Sequence, residues 1–520
     1  MYFSAPKFTK LNLFKIKNYI ISSIIKQRIK RINAATRNPI QCQKNVLKSL
    51  IQKCLNTNFG EEHSFDRITN YKSFKNQVRV RTYEELEPYI SKAKKGLENV
   101  LWPGETIYFA KSSGTTNSKS KFIPVTKESL NDCHFKAGKD MLSFYENNFP
   151  KTNIYNGKGI MLGGTISTLK NKNYISGDLS AILLKEFPFW VSHHRVPDIK
   201  TALMKDWEKK LDAIANQSIK ENITNLTGVP SWMLILLKRV LVLSGKDNIS
   251  EVWPNLELYM HGGVNFNPYR EQFKKLIPSK KMNYLEGYNA SEGFFAIQDK
   301  NNSDELLLLL DHGIFYEFIP IHKYRQNKLD TINLSEVELH KSYALVITTN
   351  GGLWRYLIGD VVQFTNLFPF RIKIIGRTKS CINSFGEELM VHNTDTAIKE
   401  CCRKYNCSIN EYTVAPLLRD EVSGVHQWLI EFTKKPRCLK LFMKELDNQI
   451  KKINSDYEAK RQHNLVLRLP ELILIENNEF YIWLKKNNRL GGQYKIPRLS
   501  EKRKIVEEII SIKRSFQQKK

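Results

Sequence analysis

Lys111-Ser112-Ser113-Gly114-Thr115-Thr116-Asn117-Ser118-Lys119-Ser120-Lys121 lies between two apolar runs, Thr106-Ile107-Tyr108-Phe109-Ala110 and Phe122-Ile123-Pro124-Val125-Thr126. The order reads as strand, polar loop, strand, because Pro124 disfavours a helix through the second run. The loop suits a polyphosphate. Its backbone N–H groups and hydroxyls can donate to phosphate oxygens, Gly114 permits close approach, and Lys121 adds a point charge. The G-x-x-x-x-G-K-[ST] spacing is absent, so this is not a Walker loop. Taken alone, a Ser/Thr/Gly/Lys loop is more often a plain surface turn. The rest of the chain has to decide.

Upstream, residues 8–60 have apolar residues recurring every three or four positions: Ile20, Ile24, Ile25, then Val46, Leu47, Leu50, Ile51, Leu55. That spacing predicts helices, with Gly60 as a stop. Thr82 and Glu85 predict a capping box at the start of another helix. Downstream, 157–165 reads as a buried strand ending in the Gly163-Gly164-Thr165 turn. Helical patterning follows at 202–216, a short strand ends in Gly228-Val229-Pro230-Ser231-Trp232, and 233–243 is an apolar helix. Strands at 256–260 and 282–288 end in His261-Gly262-Gly263 and in Tyr288-Asn289-Ala290-Ser291-Glu292. Strands that alternate with helices and end in Gly-rich turns predict an α/β sheet with its site at the strand ends. From about 305 the texture changes to short strand-like runs, which predicts a β-rich subdomain. A boundary is expected near Gly376-Arg377, dividing a large N-terminal domain, residues 1–376, from a smaller α+β domain, residues 377–520, that ends in a basic helix.

Composition bounds the class. The chain has 520 residues, 41% hydrophobic and 26% charged, which is globular and excludes a disordered chain. Its net charge of +29 would suit nucleic acid, an anionic membrane or an acidic substrate. The lysines are dispersed, however, so solvated surface charge is the simpler reading. Eight cysteines without framework or finger-like spacing fit a reducing, cytoplasmic compartment and no zinc site. No apolar run is long enough to span a bilayer. Residues 13–32 form a basic amphipathic segment, read as a surface helix, with peripheral membrane contact as the alternative.

Four further elements follow the loop: Tyr288 to Glu292, Tyr356-Leu357-Ile358-Gly359-Asp360, Gly376-Arg377, and Gly491-Gly492-Gln493-Tyr494-Lys495-Ile496-Pro497-Arg498. Singly each has a dull reading as turn former or surface charge. In this order the chain resembles the adenylate-forming superfamily. Within it, the chain is similar to the bacterial-looking branch of the Gretchen Hagen auxin-responsive family of acyl acid amido synthetases. Ser112-Ser113-Gly114-Thr115-Thr116 matches that family's phosphate loop, and Tyr288 to Glu292 its second motif. Tyr356 to Asp360 matches the third. Gly376-Arg377 with Ile382-Asn383 and Gly386-Glu387 matches the hinge. Thr82-Tyr83-Glu84 also looks familial. Ser118 departs from the glycine usual in plant members, and Gly287 from the more usual threonine.

The resemblance implies two half-reactions. A carboxylate and ATP give an acyl-adenylate and pyrophosphate, and an amino acid's amine then attacks the acyl carbon. It implies that Ser112, Ser113, Gly114, Thr115, Thr116 and Lys121 cradle the β- and γ-phosphates. Glu292 would hold Mg²⁺, Asp360 the ribose hydroxyls, and Arg377 ribose or phosphate. Gly262, Gly263, Tyr288, Asn289, Ala290 and Ser291 would complete the ATP site, and Lys495 would reach the α-phosphate when the mobile domain 377–520 closes over the ATP- and acyl-binding domain 1–376. Gly164, Thr165, Ser231 and Trp232 are the expected acyl-pocket residues, with Trp232 equally readable as core. Among His261, His312 and His426 no spacing singles out a base. Two other readings remain at this stage: transfer of the acyl group to a thiol such as coenzyme A, and polyanion binding on a disused synthetase scaffold.

Overall fold

A computed structural model describes residues 27–112, 121–167, 174–263, 266, 269–378, 381–382, 384–385, 387, 389–419, 424–461, 467–476, 478–487, 489–490 and 495–517. Among these residues the centre is one twelve-stranded sheet. From one edge it runs Ile332–Asn333, Ile314–Pro320, Ser342–Thr349, Tyr356–Leu367, Phe370–Arg377, Leu306–Leu308 and Gly293–Ile297. It continues through Asn283–Ala290, Leu258–Gly262, Ile223–Gly228 and Lys158–Met161 to Arg195–Val196 at the other edge. The last five strands pair in parallel, and the others pair antiparallel. The α/β part and the β-rich part expected from the texture change are therefore halves of one sheet. The texture changes because antiparallel strands need only short turns, whereas parallel ones need helical crossovers.

The opening stretch forms the expected hairpin. Tyr108–Ser112 pairs antiparallel with Lys121–Val125, with Ser112 opposite Lys121. Pro124 is tolerated because its strand is the edge of a separate four-stranded sheet. Residues 113–120, with Ser113, Gly114, Thr115, Thr116 and Ser118, lie outside the described residues, as do residues 13–26 of the basic amphipathic segment 13–32.

Two expectations change. Gly60 stops no helix but lies inside Asn58–Glu62, where a Cβ would come 2.0 Å from the Cys54 carbonyl oxygen. Close approach, not termination, requires the glycine. Tyr356 to Asp360 is no strand-end turn either. It opens the twelve-residue strand Tyr356–Leu367, bent at Gly359 (φ +91°). The capping box at Thr82 and Glu85 forms as expected.

Apolar cores cover the sheet. One packs the N-terminal helices, with Phe59, Phe74, Leu86 and Trp354, against its antiparallel half. Another gathers Trp207, Trp232, Leu236 and Trp253 under the parallel half and continues into Ile475, Trp483, Ile496 and Val506 of the C-terminal part. That part carries its own three-stranded sheet, Ser408–Leu418, Gly424–Lys434 and Glu471–Ile475.

A buried ionic network joins the N-terminal segment to the sheet. The Arg355 guanidinium donates to Glu317 Oε1 and Oε2 at 2.8 and 2.9 Å and to Thr331 Oγ1 at 2.6 Å. Tyr71 donates to the same Glu317 at 3.0 Å. Both charged side chains are at most 4% exposed. Arg355 takes φ +45°, a conformation side chains disfavour, and the network holds it there. Removing one member of a buried pair leaves an uncompensated charge. Glu317→Gln should therefore cost about 3–5 kcal/mol in urea-induced unfolding, and a loss below about 1 kcal/mol would show that the network is not structural.

Candidate active site

The sheet brings the motif residues together through its register. Asp360 and Arg377 are direct cross-strand partners, and Arg377 Nε donates to Asp360 Oδ1 at 2.8 Å. The Tyr288 hydroxyl donates to Asp360 Oδ2 at 2.7 Å, so the second motif meets the third. Burial, then the Asp360 charge, raises the Tyr288 phenol well above its ordinary range, so it stays a donor. Asp360 pulls the Arg377 guanidinium higher still. Each Asp360 oxygen keeps a lone pair beyond those used by Tyr288 and Arg377, enough to accept further hydroxyls.

Glu292 follows two positions after the end of Asn283–Ala290 and is buried. Burial raises its carboxyl above the ordinary value, against the opposing pull of Arg377 and Lys121. A buried carboxylate is a hard oxygen donor suited to a divalent cation, whose charge would reverse that cost. Beside it, Ser291 Oγ is buried with no hydrogen-bond partner among the described residues. An orphaned hydroxyl next to a buried acid fits a site shaped for a polar ligand. Lys121 donates to the Tyr356 hydroxyl at 3.1 Å, which puts the phosphate-loop lysine beside the third motif.

Gly262 and Gly263 end the strand Leu258–Gly262. A Cβ on Gly262 would lie 2.3 Å from the Gly287 carbonyl oxygen and 2.9 Å from Asn289 Oδ1, so neighbouring strand ends demand the glycine. Gly263 has φ +79°, and its carbonyl accepts from Lys495 Nζ. Arg498, three residues on, donates to the Tyr269 hydroxyl at 3.0 Å. The C-terminal segment thus reaches the strand ends of the sheet. Burial and then Arg377 lower the Lys495 ammonium to about 8.

The expected acyl residues divide. Trp232 is buried in the core, edge-on to Trp207 at 4.7 Å, while Ser231 is half-buried at the start of helix Pro230–Ser244. Gly164 and Thr165 form a turn clamped on all sides. Gly164 N donates to Ser180 Oγ at 3.0 Å and Thr165 N to Asp178 Oδ2 at 2.8 Å. Lys210 Nζ donates to the Gly163 and Gly164 carbonyls at 2.7 and 2.8 Å. Sequence reading missed Lys210, whose ammonium burial lowers to about 8. The signal was present: Trp207, Lys210, Leu211 and Ile214 share the core-facing stripe of one helix, where lysine is out of place. None of the three histidines is placed to act as a base. His261 is stacked on Phe266 and held neutral by burial at about 3. His312 lies between Asp140 and Asp311, and His426 against Glu387.

Comparison with known proteins matches this chain to three consecutive parts of one family. They are the GH3 family N-terminal domain over residues 28–282, the central domain over 307–377 and the C-terminal domain over 392–504. Indole-3-acetic acid-amido synthetase GH3.3 of Arabidopsis thaliana is 23% identical over 408 residues, covering 65% of this chain and 67% of that protein. Jasmonoyl-L-amino acid synthetase GH3.5 of Oryza sativa subsp. japonica is 23% identical over 411 residues, covering 65% and 70%. The solved structure of AtGH3.15 acyl acid amido synthetase in complex with 2,4-DB superposes with a TM-score of 0.79 at 15% identity, covering 98% of this chain and 97% of that one. A 2-hydroxyisobutyryl-CoA ligase in its postadenylation state shares the fold at a TM-score of 0.58 and 12% identity, with 91% of each chain covered. By its three consecutive domain matches, the chain belongs to the GH3 family.

Proposed function

We propose that this protein is an ATP-dependent ligase that adenylates a carboxylic acid and passes the acyl group to the amine of an amino acid, forming an amide. The observation that carries the reading is the meeting of Tyr288, Asp360 and Arg377 in a GH3 chain. In the first step a carboxylate oxygen bonds to the α-phosphorus and pyrophosphate leaves. Two anions must approach, so the site has to supply cations and hold both in line. Lys121 sits at the base of the phosphate loop and Lys495 at Gly263. Asp360 accepts the ribose hydroxyls, and Arg377 holds its carboxylate in place. Glu292, with the Ser291 hydroxyl beside it, would hold Mg²⁺. When bound, the ion would supply positive charge that offsets the charge of the phosphates. In the second step the amine nitrogen bonds to the acyl carbon, AMP leaves and the amine loses a proton.

Residues 377–520 act in this reading as the unit that brings Lys495 to the site and then withdraws. Because Trp483 and Ile496 share a core with Trp207 and Trp232, withdrawal is a sliding rotation that keeps most of that contact. Cys42, Cys54, Cys133, Cys401, Cys402, Cys407 and Cys438 are free, which supports a reducing, cytoplasmic location, and no described helix is long and apolar enough to cross a membrane.

A pyrophosphate-release screen with carboxylic acids, followed by amino acid and thiol acceptors, tests the function. Acid-dependent release with amide product is expected, and turnover that rises only with a thiol would reject amide formation. Asp360→Ala should weaken ATP binding about tenfold, as expected for lost charged hydrogen bonds. Glu292→Gln should slow adenylation about a hundredfold with a much smaller change in ATP affinity, and equal loss of both would remove its metal role. Because the Lys495 ammonium is lowered, it is charged below pH about 8 and neutral above. Acid-dependent ATP–pyrophosphate exchange should therefore fall as pH rises through about 8, and Lys495→Arg should abolish that alkaline fall.

A further inference from the structure

Tyr83, in the Thr82-Tyr83-Glu84 element, opens helix Tyr83–Lys94, and its side chain meets Lys121 and Phe122, 38 and 39 positions on. Its hydroxyl accepts the Phe122 N–H at 2.8 Å. The Lys121 ammonium lies over its ring, 5.4 Å from the centroid. On the other side the same ammonium lies 5.7 Å from the Tyr356 ring centroid while donating to the Tyr356 hydroxyl. Both separations are within the range where a cation is attracted to an aromatic face. We infer that Tyr83 is a positioning residue for adenylation, holding the Lys121 ammonium, with Tyr356, where the departing pyrophosphate needs it.

Three features make this more than proximity. First, the two tyrosines are registered to each other by backbone. Arg81 bridges Tyr356 in parallel, with Arg81 N donating to the Arg355 carbonyl at 2.9 Å and Leu357 N to the Arg81 carbonyl at 2.8 Å. Second, Tyr83 grips both the side chain of Lys121 and the backbone of the next residue, so it fixes the base of the loop as well as the charge. Third, burial raises the Tyr83 phenol above its ordinary value, so the oxygen that accepts Phe122 N–H stays neutral. A lysine has four rotatable side-chain bonds, and ordering it at the moment of reaction would cost entropy. Two rings and a hydroxyl order it beforehand, which is what a charge-stabilising site requires.

The assignment rests on the proposed ligase reading, and a double-mutant cycle on acid-dependent ATP–pyrophosphate exchange tests it. Tyr83→Leu should lower kcat/KM for ATP roughly tenfold, and Tyr83→Phe, which keeps the ring, by about threefold. KM for the acid should stay unchanged. On a Lys121→Gln background the same substitutions should cost nothing further, because the group they position is gone. An undiminished loss on that background, or no loss on the wild-type background, overturns the assignment. Should Tyr83→Leu fail to fold, Tyr83→Phe completes the cycle alone. Wild-type protein that shows no acid-dependent exchange would instead overturn the ligase reading, and this assignment with it.

Discussion

The site depends on one hydrogen bond between distant parts of the sheet, from the Tyr288 hydroxyl to Asp360. Tyr288 lies two residues before the end of a strand of the parallel half, and Asp360 is the fifth residue of a strand of the antiparallel half. Between them run Gly293–Ile297, Leu306–Leu308 and Phe370–Arg377. The contact therefore crosses the sheet at its end, where twist brings strand termini together. The bend at Gly359 and the register shift between Val361 and Val362 turn Asp360 toward that end. A bulge is a common way to re-aim a side chain beside a site. Arg377 then offsets the cost of burying the carboxylate. Aligning the halves also places Glu292, Ser291 and Lys121 within one electrostatic environment, as the opposing effects on Glu292 record.

The charge of the chain takes on a different meaning once burial is known. Acids are spent inside: Asp140, Glu292, Glu317, Asp360, Glu387, Asp395, Asp447 and Glu479 are all buried, whereas Lys210 is the buried lysine among the described residues. Several of these acids hold guanidinium or imidazole partners that join remote segments, as Asp447 with Arg461 and Glu387 with His426 do. The exposed surface is accordingly even more basic than +29 over 520 residues suggests. That basic surface raises the local concentration of anions, and both ATP and a carboxylic acid are anions.

The sequence made the local pieces legible because each has a short-range cause. The hairpin around the polar loop, the capping box at Thr82, and the turn bearing Ser291 and Glu292 follow from residue type and alternation. What stayed hidden has a long-range cause. Nothing local says that the strand at 356 continues to 367, that two textures share a sheet, or that Gly60 must clear the Cys54 carbonyl. Tyr83 was visible as part of a helix start and of a familial element, but not in its contacts, because these depend on pairing with a strand more than 270 positions away. Lys210 is the instructive exception, a lysine on an apolar stripe that pattern alone could have flagged.

The C-terminal part raises a question of mechanism that packing helps to answer. A second half-reaction needs the α-phosphate end of the site cleared for an amine, yet Lys495 is seated on Gly263. Its seat is local: one lysine on one carbonyl, with Arg498 on Tyr269 and Gln272 on the Ile409 carbonyl nearby. Behind it the apolar contact of Trp483, Ile496 and Val506 is broad and non-directional. Directional polar contacts break over small displacements, whereas apolar faces can slide while still excluding water. A rotation of a few ångströms about the apolar contact would therefore release Lys495 before it exposed the shared core. In the proposed reading, the chain would bring a cation to the adenylating phosphate and then remove it without losing the interface that carries it.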